Sequence, residues 1–73
     1  MRLEEVVGRN VRLLRKALGL TQEELAHRSG IDTRYVGGIE RGEENPSVAV
    51  LGRVARVLDV HPSELLIEPA AER

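Results

Sequence analysis

The chain has 73 residues, no cysteine and a formal net charge of −1 at pH 7. This length suits one small domain, and the absence of cysteine excludes disulfides and thiolate metal sites, so stability must come from aliphatic packing. No apolar run approaches the length of a signal sequence or a membrane-spanning helix, and a cytoplasmic protein without membrane contact is therefore expected.

The charges are unevenly distributed along the chain. Residues 1–41 carry eight Lys or Arg and six Asp or Glu, whereas residues 42–73 carry three and six. A net negative charge is unfavourable for a partner as acidic as nucleic acid. The excess of positive charge nevertheless makes the amino-terminal part the side expected to meet phosphate.

Two helices are predicted in the first thirty residues. Apolar side chains recur at helical spacing in the first of them: Leu3, Val7, Val11, Leu14 and Leu18. Gly19 ends this helix. Thr21 and Glu24 have the spacing of a capping box, which predicts a second helix at about residues 22–29 that ends near Gly30.

The third and fourth helices are predicted from their caps. Asp32 is a good N-cap for a third helix at about residues 33–41, and Gly42 follows as its stop. Ser47 is the N-cap of a fourth helix that reaches about Leu58.

A short fifth helix is predicted to start at Pro62, a residue favoured at the first helical position, and to be closed by Pro69. The pattern contains no strand alternation and no internal repeat. We therefore expect a compact all-α domain of five helices over residues 1–69, followed by a frayed tail at residues 70–73.

The second and third predicted helices are separated only by Gly30, Ile31 and Asp32. Such a short connection suits a helix-turn-helix whose helices cross at a wide angle. Ala26 is small where the helices must approach, Gly30 can adopt a positive φ at the turn, and Val36 can pack back from the third helix. The joint spacing of these residues indicates a helix-turn-helix.

The chain resembles the Xre/Cro-type, λ-repressor-like helix-turn-helix DNA-binding family over the segment GLTQEELAHRSGIDTRYVGGIERGEENPSVAVLGRVARVLDVHPSELL. The resemblance extends from about Val7 to Leu66. Within this family, DTRYVGGIERG is most similar to the controller proteins of restriction-modification systems. The resemblance implies that the third helix is a recognition helix, which lies in the major groove with its amino-terminal residues at the base edges.

The resemblance also implies a role in DNA binding for individual residues. Thr33, Arg34 and Gly38 match base-reading positions, Gln22 matches a phosphate contact, and Tyr35 and Arg41 match positions near the phosphates or the groove wall. Thr21, at the start of the second helix, is added as a phosphate-binding position, and Asn45 is added from the loop after the third helix. The expected DNA-binding residues are therefore Thr21, Gln22, Thr33, Arg34, Tyr35, Gly38, Arg41 and Asn45.

Two of these residues allow a second interpretation. Arg34 can form a bidentate pair with guanine, worth about 1–3 kcal/mol of discrimination, or it can be a solvated surface arginine. Tyr35 can contact DNA or simply cover the second helix as a half-buried side chain.

Gly37 and Gly38 stand side by side inside the third helix, where each costs about 1 kcal/mol relative to alanine. At Gly38 the missing side chain is expected to let the helix lie closer to the groove. Gly37 lies about 100° further round the helix, and for it we expect only a close approach to the phosphate wall.

Arg15 and Glu40 match a pair that ties the first helix to the recognition helix in the family. They form either an exposed pair worth under about 1 kcal/mol or a semi-buried clamp whose loss from one side costs about 3–5 kcal/mol. His27 and His61 lack metal-ligand spacing, so no metal site is expected.

Val50 and Val57 lie off the inward stripe of the fourth helix, and Ile67 adds an apolar group beyond the fifth. These residues form either the interface of a twofold dimer or scattered surface aliphatics.

The sequence thus predicts a dimeric, sequence-specific transcriptional regulator that binds a palindromic DNA operator and has no catalytic activity, cofactor or small-molecule effector. The alternative is a protein-interaction module on the same fold, antitoxin-like or coactivator-like. Glu43 and Glu44 favour this alternative, because relatives often have basic residues there; Gln22, Thr33 and Arg34 favour DNA.

Overall fold

The computed structural model describes residues 1–68, so the expectations for Pro69 and for the tail at residues 70–73 lie outside the described residues. Within this part the chain forms four α-helices and one 3-10 helix and no strand. Their bounds are α1 Leu3–Ala17, α2 Gln22–Ser29, α3 Thr33–Glu40, α4 Val48–Leu58 and the 3-10 helix Pro62–Leu66. The all-α fold class is confirmed.

The expectation of five α-helices is wrong in one detail, because the fifth is a 3-10 helix. Its five residues are too few for a stable α-helix, and 3-10 geometry is common in such short pieces. The N–H of Glu64 donates to the carbonyl of His61 at 2.9 Å, which is the i to i+3 bond of a 3-10 turn. Pro62 occupies the first helical position as predicted.

Side-chain caps start three of the helices where the sequence places them. The hydroxyl of Thr21 accepts from the N–H of Glu24 at 3.0 Å, and the Glu24 carboxylate accepts from the N–H of Thr21 at 2.8 Å. The hydrogen bond from the backbone N–H of Thr21 holds the pKa of the Glu24 carboxyl below its ordinary value. The Asp32 carboxylate accepts from the N–H of Arg34 at 2.7 Å and caps α3, and the Ser47 hydroxyl accepts from the N–H of Val50 at 3.1 Å and caps α4.

The core lies where α1 packs against α3, α4 and the 3-10 helix, and α2 packs against α3 and α4. Val7 and Val11 are buried in it, but Leu3 and Leu18, at the two ends of the predicted stripe, are 57% and 51% exposed. Leu3 is the first residue of α1 and Leu18 follows its last, so neither is enclosed by the elements that cover the middle of the helix.

Gly8 and Asn10 of α1 determine how α3 and the 3-10 helix pack against this helix. The hydrophobic pattern of the sequence marks neither residue. At Gly8, a Cβ atom would overlap the carbonyl oxygen of Ile39, so the missing side chain lets α1 approach the backbone of α3. Asn10 is buried, and its amide donates to the carbonyls of Leu65 at 3.0 Å and Ile67 at 2.8 Å. Asn10 thereby attaches the end of the 3-10 helix to α1.

Candidate nucleic-acid interface

The turn between α2 and α3 is the helix-turn-helix that the spacing predicts. Gly30 has φ +74°, the left-handed conformation that glycine adopts without strain. The N–H of Ile31 donates to the carbonyl of Ala26 at 3.0 Å and closes the turn. Ala26 and Val36 are both buried where the helices meet. Asp32 and Arg34, at the amino-terminal end of α3, are exposed.

The start of α3 carries the residues expected to read bases. Arg34 is exposed, Thr33 is half-buried, and the N–H of Arg34 donates to the Asp32 carboxylate at 2.7 Å. Tyr35 is half-buried and packs against the hydrophobic core, which is the covering role that the sequence left open beside a DNA contact. Asp32, Arg34, Tyr35 and Glu44 together line a shallow surface depression, which we call the α3 depression.

The Arg15–Glu40 pair adopts the buried arrangement. Arg15 Nε and Glu40 Oε2 are 2.6 Å apart, a second bond from Arg15 Nη2 to Glu40 Oε1 measures 3.0 Å, and the side chains are only 10% and 1% exposed. Arg15 also donates to the carbonyl of Leu20 at 2.8 Å. The pair therefore joins α1, the segment before α2 and the end of α3.

Gln22 belongs to the same network, because its amide Nε2 donates to Glu40 Oε1 at 2.9 Å. The sequence suggested only a phosphate contact for this side chain, since its spacing from Glu40 along the chain gives no local signal. Gln22 thus links the first residue of α2 to the last residue of α3.

The charge of Glu40 is stabilised by this network. Burial alone raises the pKa of Glu40, but the hydrogen bonds from Arg15 and Gln22 and the positive charges of Arg15 and Arg12 outweigh it and hold the pKa below its ordinary value. The hydrogen bond to Glu40 likewise raises the pKa of Arg15. Both groups are ionised at neutral pH, so the clamp is a true ion pair.

The end of α3 places an acidic loop over Gly38. Gly42, with φ +77°, donates its N–H to the carbonyl of Ile39 at 3.0 Å, and Glu43 donates to the carbonyl of Gly38 at 2.9 Å. This pair of bonds is a Schellman motif. A Cβ on Gly38 would lie 2.7 Å from Glu44 Cγ and 2.8 Å from its Oε2.

Glu44 fills the space that the glycine leaves at position 38, whereas the sequence suggested an open helix face there. The sequence could not show this, since the packing of Glu44 depends on the course of the loop. At Gly37, a Cβ would lie 3.1 Å from Arg41 Nη1, so the arginine covers this glycine.

The three other residues expected to contact DNA are all exposed. Thr21 is exposed at the start of α2 and Asn45 is exposed in the loop after α3. Arg41 is exposed, but its Nε lies 3.1 Å from the Glu43 carboxylate, so part of its charge is already compensated.

The residues expected at a dimer interface are less accessible than their pattern suggests. Val50 and Val57 are half-buried and pack against the core beside the buried residues Val54, Ala55 and Leu58 of the same helix. Ile67 is 61% exposed. Of the three, Ile67 is thus the apolar side chain most available for another chain.

The family model described as helix-turn-helix matches residues 11–65, which covers α2, the turn, α3, α4 and the second half of α1. The chain belongs to this Xre-like helix-turn-helix family. The family resemblance stated from the sequence is confirmed, and the relatives of the chain in this family are transcriptional regulators.

Three relatives illustrate the similarity. An HTH-type transcriptional regulator, y4dJ of Sinorhizobium fredii, is 42% identical over 66 residues, which are 90% of this chain and 86% of y4dJ. The restriction-modification controller protein C.AhdI of Aeromonas hydrophila superposes with a TM-score of 0.82 at 47% identity, covering 85% of this chain and 94% of C.AhdI. SinR, a regulator of biofilm formation solved in complex with DNA, superposes with a TM-score of 0.80 at 37% identity, covering 84% and 98%.

Two other features are absent from residues 1–68. That part of the chain holds no group of His, Asp and Glu side chains arranged to bind a metal ion. None of the helices described there has both the length and the apolar composition needed to cross a membrane.

Proposed function

We propose that this protein is a sequence-specific transcriptional regulator that binds a palindromic DNA operator as a homodimer, with α3 in the major groove. The observation that carries this proposal is the placement of the exposed Arg34, beside the half-buried Thr33, at the start of α3 of a helix-turn-helix. Both the helix-turn-helix geometry and the Arg15–Glu40 clamp hold that helix in place. The solved complex of the similar SinR with DNA supports the same partner class.

The chemistry of the surface fits this partner. The Arg34 guanidinium can donate to O6 and N7 of guanine, and Thr33 offers a methyl group for thymine and a hydroxyl for a base or phosphate. Thr21 caps α2 through the N–H of Glu24, which leaves the earlier N–H groups of that helix for a phosphate oxygen. Tyr35, Arg41 and Asn45 would flank these contacts.

No catalytic step, cofactor or small-molecule effector enters this mechanism. The regulator would act on the chromosome in the cytoplasm, by occupying its operator, and its occupancy would depend on its concentration and on dimerisation. The position of the operator relative to the promoter would decide whether it represses or activates.

A protein-interaction module is the second candidate function, and Glu43 and Glu44 favour it. Both carboxylates lie beside α3 and would repel phosphates, whereas they could meet basic groups of a protein partner. This candidate predicts that the chain selects no DNA sequence.

Selection of bound duplexes from a random pool, followed by footprinting, distinguishes the two. We expect enrichment of a palindrome whose half-sites lie about 34–36 Å apart, one helical turn. Arg34→Ala should relax the preference at one base pair in each half-site, while a variant of equal charge change far from α3, Arg56→Ala, should leave the preference unchanged. A failure of the unmodified protein to enrich any sequence would favour the interaction module.

Light scattering tests the proposed homodimer by measuring the molar mass in solution. Ile67→Arg places a charge on the most exposed of the three expected interface residues and should yield monomers with unchanged circular dichroism. Leu13→Arg is a suitable control, because Leu13 is 55% exposed on α1 and lies outside the proposed interface. Dimers that persist in Ile67→Arg would place the interface elsewhere.

A further inference from the structure

Glu44 occupies a defined place on the surface of α3. The Schellman motif fixes the backbone at Gly42 and Glu43, and the glycine at position 38 leaves room for the Glu44 side chain against the helix. Asn45 precedes a proline, which restricts it to extended conformations. The chain on both sides of Glu44 is thus constrained, and its side chain lies against α3 at Gly38.

This place is part of the face that carries Arg34. Arg34 and Gly38 are four residues apart and therefore lie on the same side of the helix, about 6 Å apart along its axis. Glu44, which covers Gly38, lines the α3 depression together with Arg34. No hydrogen bond or ion pair within residues 1–68 engages the Glu44 carboxylate.

An ionised carboxylate on this face accepts hydrogen bonds and donates none. Phosphates repel it, and most groups at the major-groove edge are acceptors. The donors there are the amino groups N4 of cytosine and N6 of adenine, and the adenine N6 is adjacent to the acceptor N7. Cytosine is thus the base whose major-groove edge best suits a carboxylate.

We propose that Glu44 is a specificity-determining residue of this regulator that accepts a hydrogen bond from N4 of a cytosine in the operator. The proposal rests on the proposed DNA-binding function. Because base pairs are stacked 3.4 Å apart, the 6 Å between Arg34 and Gly38 places this cytosine within about two base pairs of the pair that Arg34 reads. Gly38 then contributes to base recognition indirectly, because its missing side chain leaves room for Glu44.

The test is duplex selection with charge-matched variants. Wild type should prefer cytosine by about tenfold at one position of each half-site. Glu44→Gln should lose this preference and favour adenine, since an amide can pair with N6 and N7 of adenine. Glu43→Gln removes the same charge one residue away and should raise affinity for all sequences without changing the preferred base.

Two glycine variants test the position of the side chain rather than its charge. Gly38→Ala should force Glu44 away from α3 and abolish the cytosine preference, although the carboxylate is still present. Gly37→Ala, whose added Cβ would meet the side chain of Arg41 and not that of Glu44, should keep it. Circular dichroism of all four variants checks that the fold is intact.

The outcomes separate this inference from the function on which it rests. If wild type selects an operator and Glu44→Gln shows the same base preferences as Glu43→Gln, the inference is overturned and the regulator function stands. If wild type enriches no sequence, the proposed function fails first and the inference falls with it.

Discussion

The buried contact of Arg15 with Glu40 ties the end of α3 to α1. Each partner alone would be a charge in a place with almost no access to water, since the Glu40 side chain is 1% exposed. The amide of Gln22 satisfies the carboxylate further. Removal of one partner leaves the other buried without compensation, and that penalty is large.

Glu40→Ala should therefore lower the free energy of unfolding by about 3–5 kcal/mol, measured by urea denaturation. Glu43→Ala is the matched control, because it also removes a glutamate from an arginine pair, but one whose side chains are 61% and 60% exposed. The control should change stability by less than about 1 kcal/mol. Equal effects of the two variants would show that the buried pair is not a clamp.

The lowered pKa of Glu40 gives stability a pH dependence of known sign. Because the folded-state pKa lies below the unfolded value of about 4.3, the folded protein gains stability from the ionised form, fully at pH values above 4.3. This contribution is lost as the pH falls through the lower folded-state pKa. Glu40→Gln should thus differ most from wild type near pH 7, and the difference in the free energy of unfolding should shrink towards pH 3.

At the scale of elements, the distance between α1 and α3 depends on one missing side chain. Gly8→Ala gains up to about 1 kcal/mol of helix propensity, but its Cβ would overlap the carbonyl oxygen of Ile39 in the backbone of α3. Backbone cannot move aside as a side chain can, so we expect a net loss of about 1–3 kcal/mol.

Gly52→Ala in α4 is the control for Gly8→Ala, because nothing lies within 4 Å of its added Cβ. It should gain about 0.5–1 kcal/mol, the cost of a helical glycine relative to alanine. Thermal unfolding of both variants gives the comparison. A stabilised Gly8→Ala variant would mean that the two helices can separate at little cost.

The sequence predicts where the helices start better than it predicts the contacts between them. The caps at Thr21, Asp32 and Ser47 act within three residues, so local sequence places α2, α3 and α4 correctly. Asn10 and Gly8 act on partners far along the chain, and no local pattern indicates which carbonyls they will meet. The covering of Gly38 by Glu44 belongs to this second class, which is why the sequence suggested an open helix face there.

At the scale of the whole molecule, the net charge is −1, and the candidate DNA face itself carries charges of both signs. The candidate DNA face carries Arg34 and Arg41 but also Glu43 and Glu44, and Arg41 is paired with Glu43 at 3.1 Å. Few cations are therefore free to replace the counterions of DNA. Specificity in such a protein must come from base contacts and dimerisation more than from general attraction to phosphate.

This charge distribution predicts a shallow dependence of DNA affinity on salt. Each neutralised phosphate contributes about −0.9 to the slope of log K against log salt concentration, and we expect a slope equivalent to about three phosphates per protomer. Glu43→Gln should steepen the slope by about one phosphate, because it releases Arg41. Glu44→Gln, which removes a carboxylate that pairs with no arginine, should leave the slope nearly unchanged. A wild-type slope equivalent to ten phosphates per protomer, measured by fluorescence anisotropy across a salt series, would contradict the picture of a face poor in free cations.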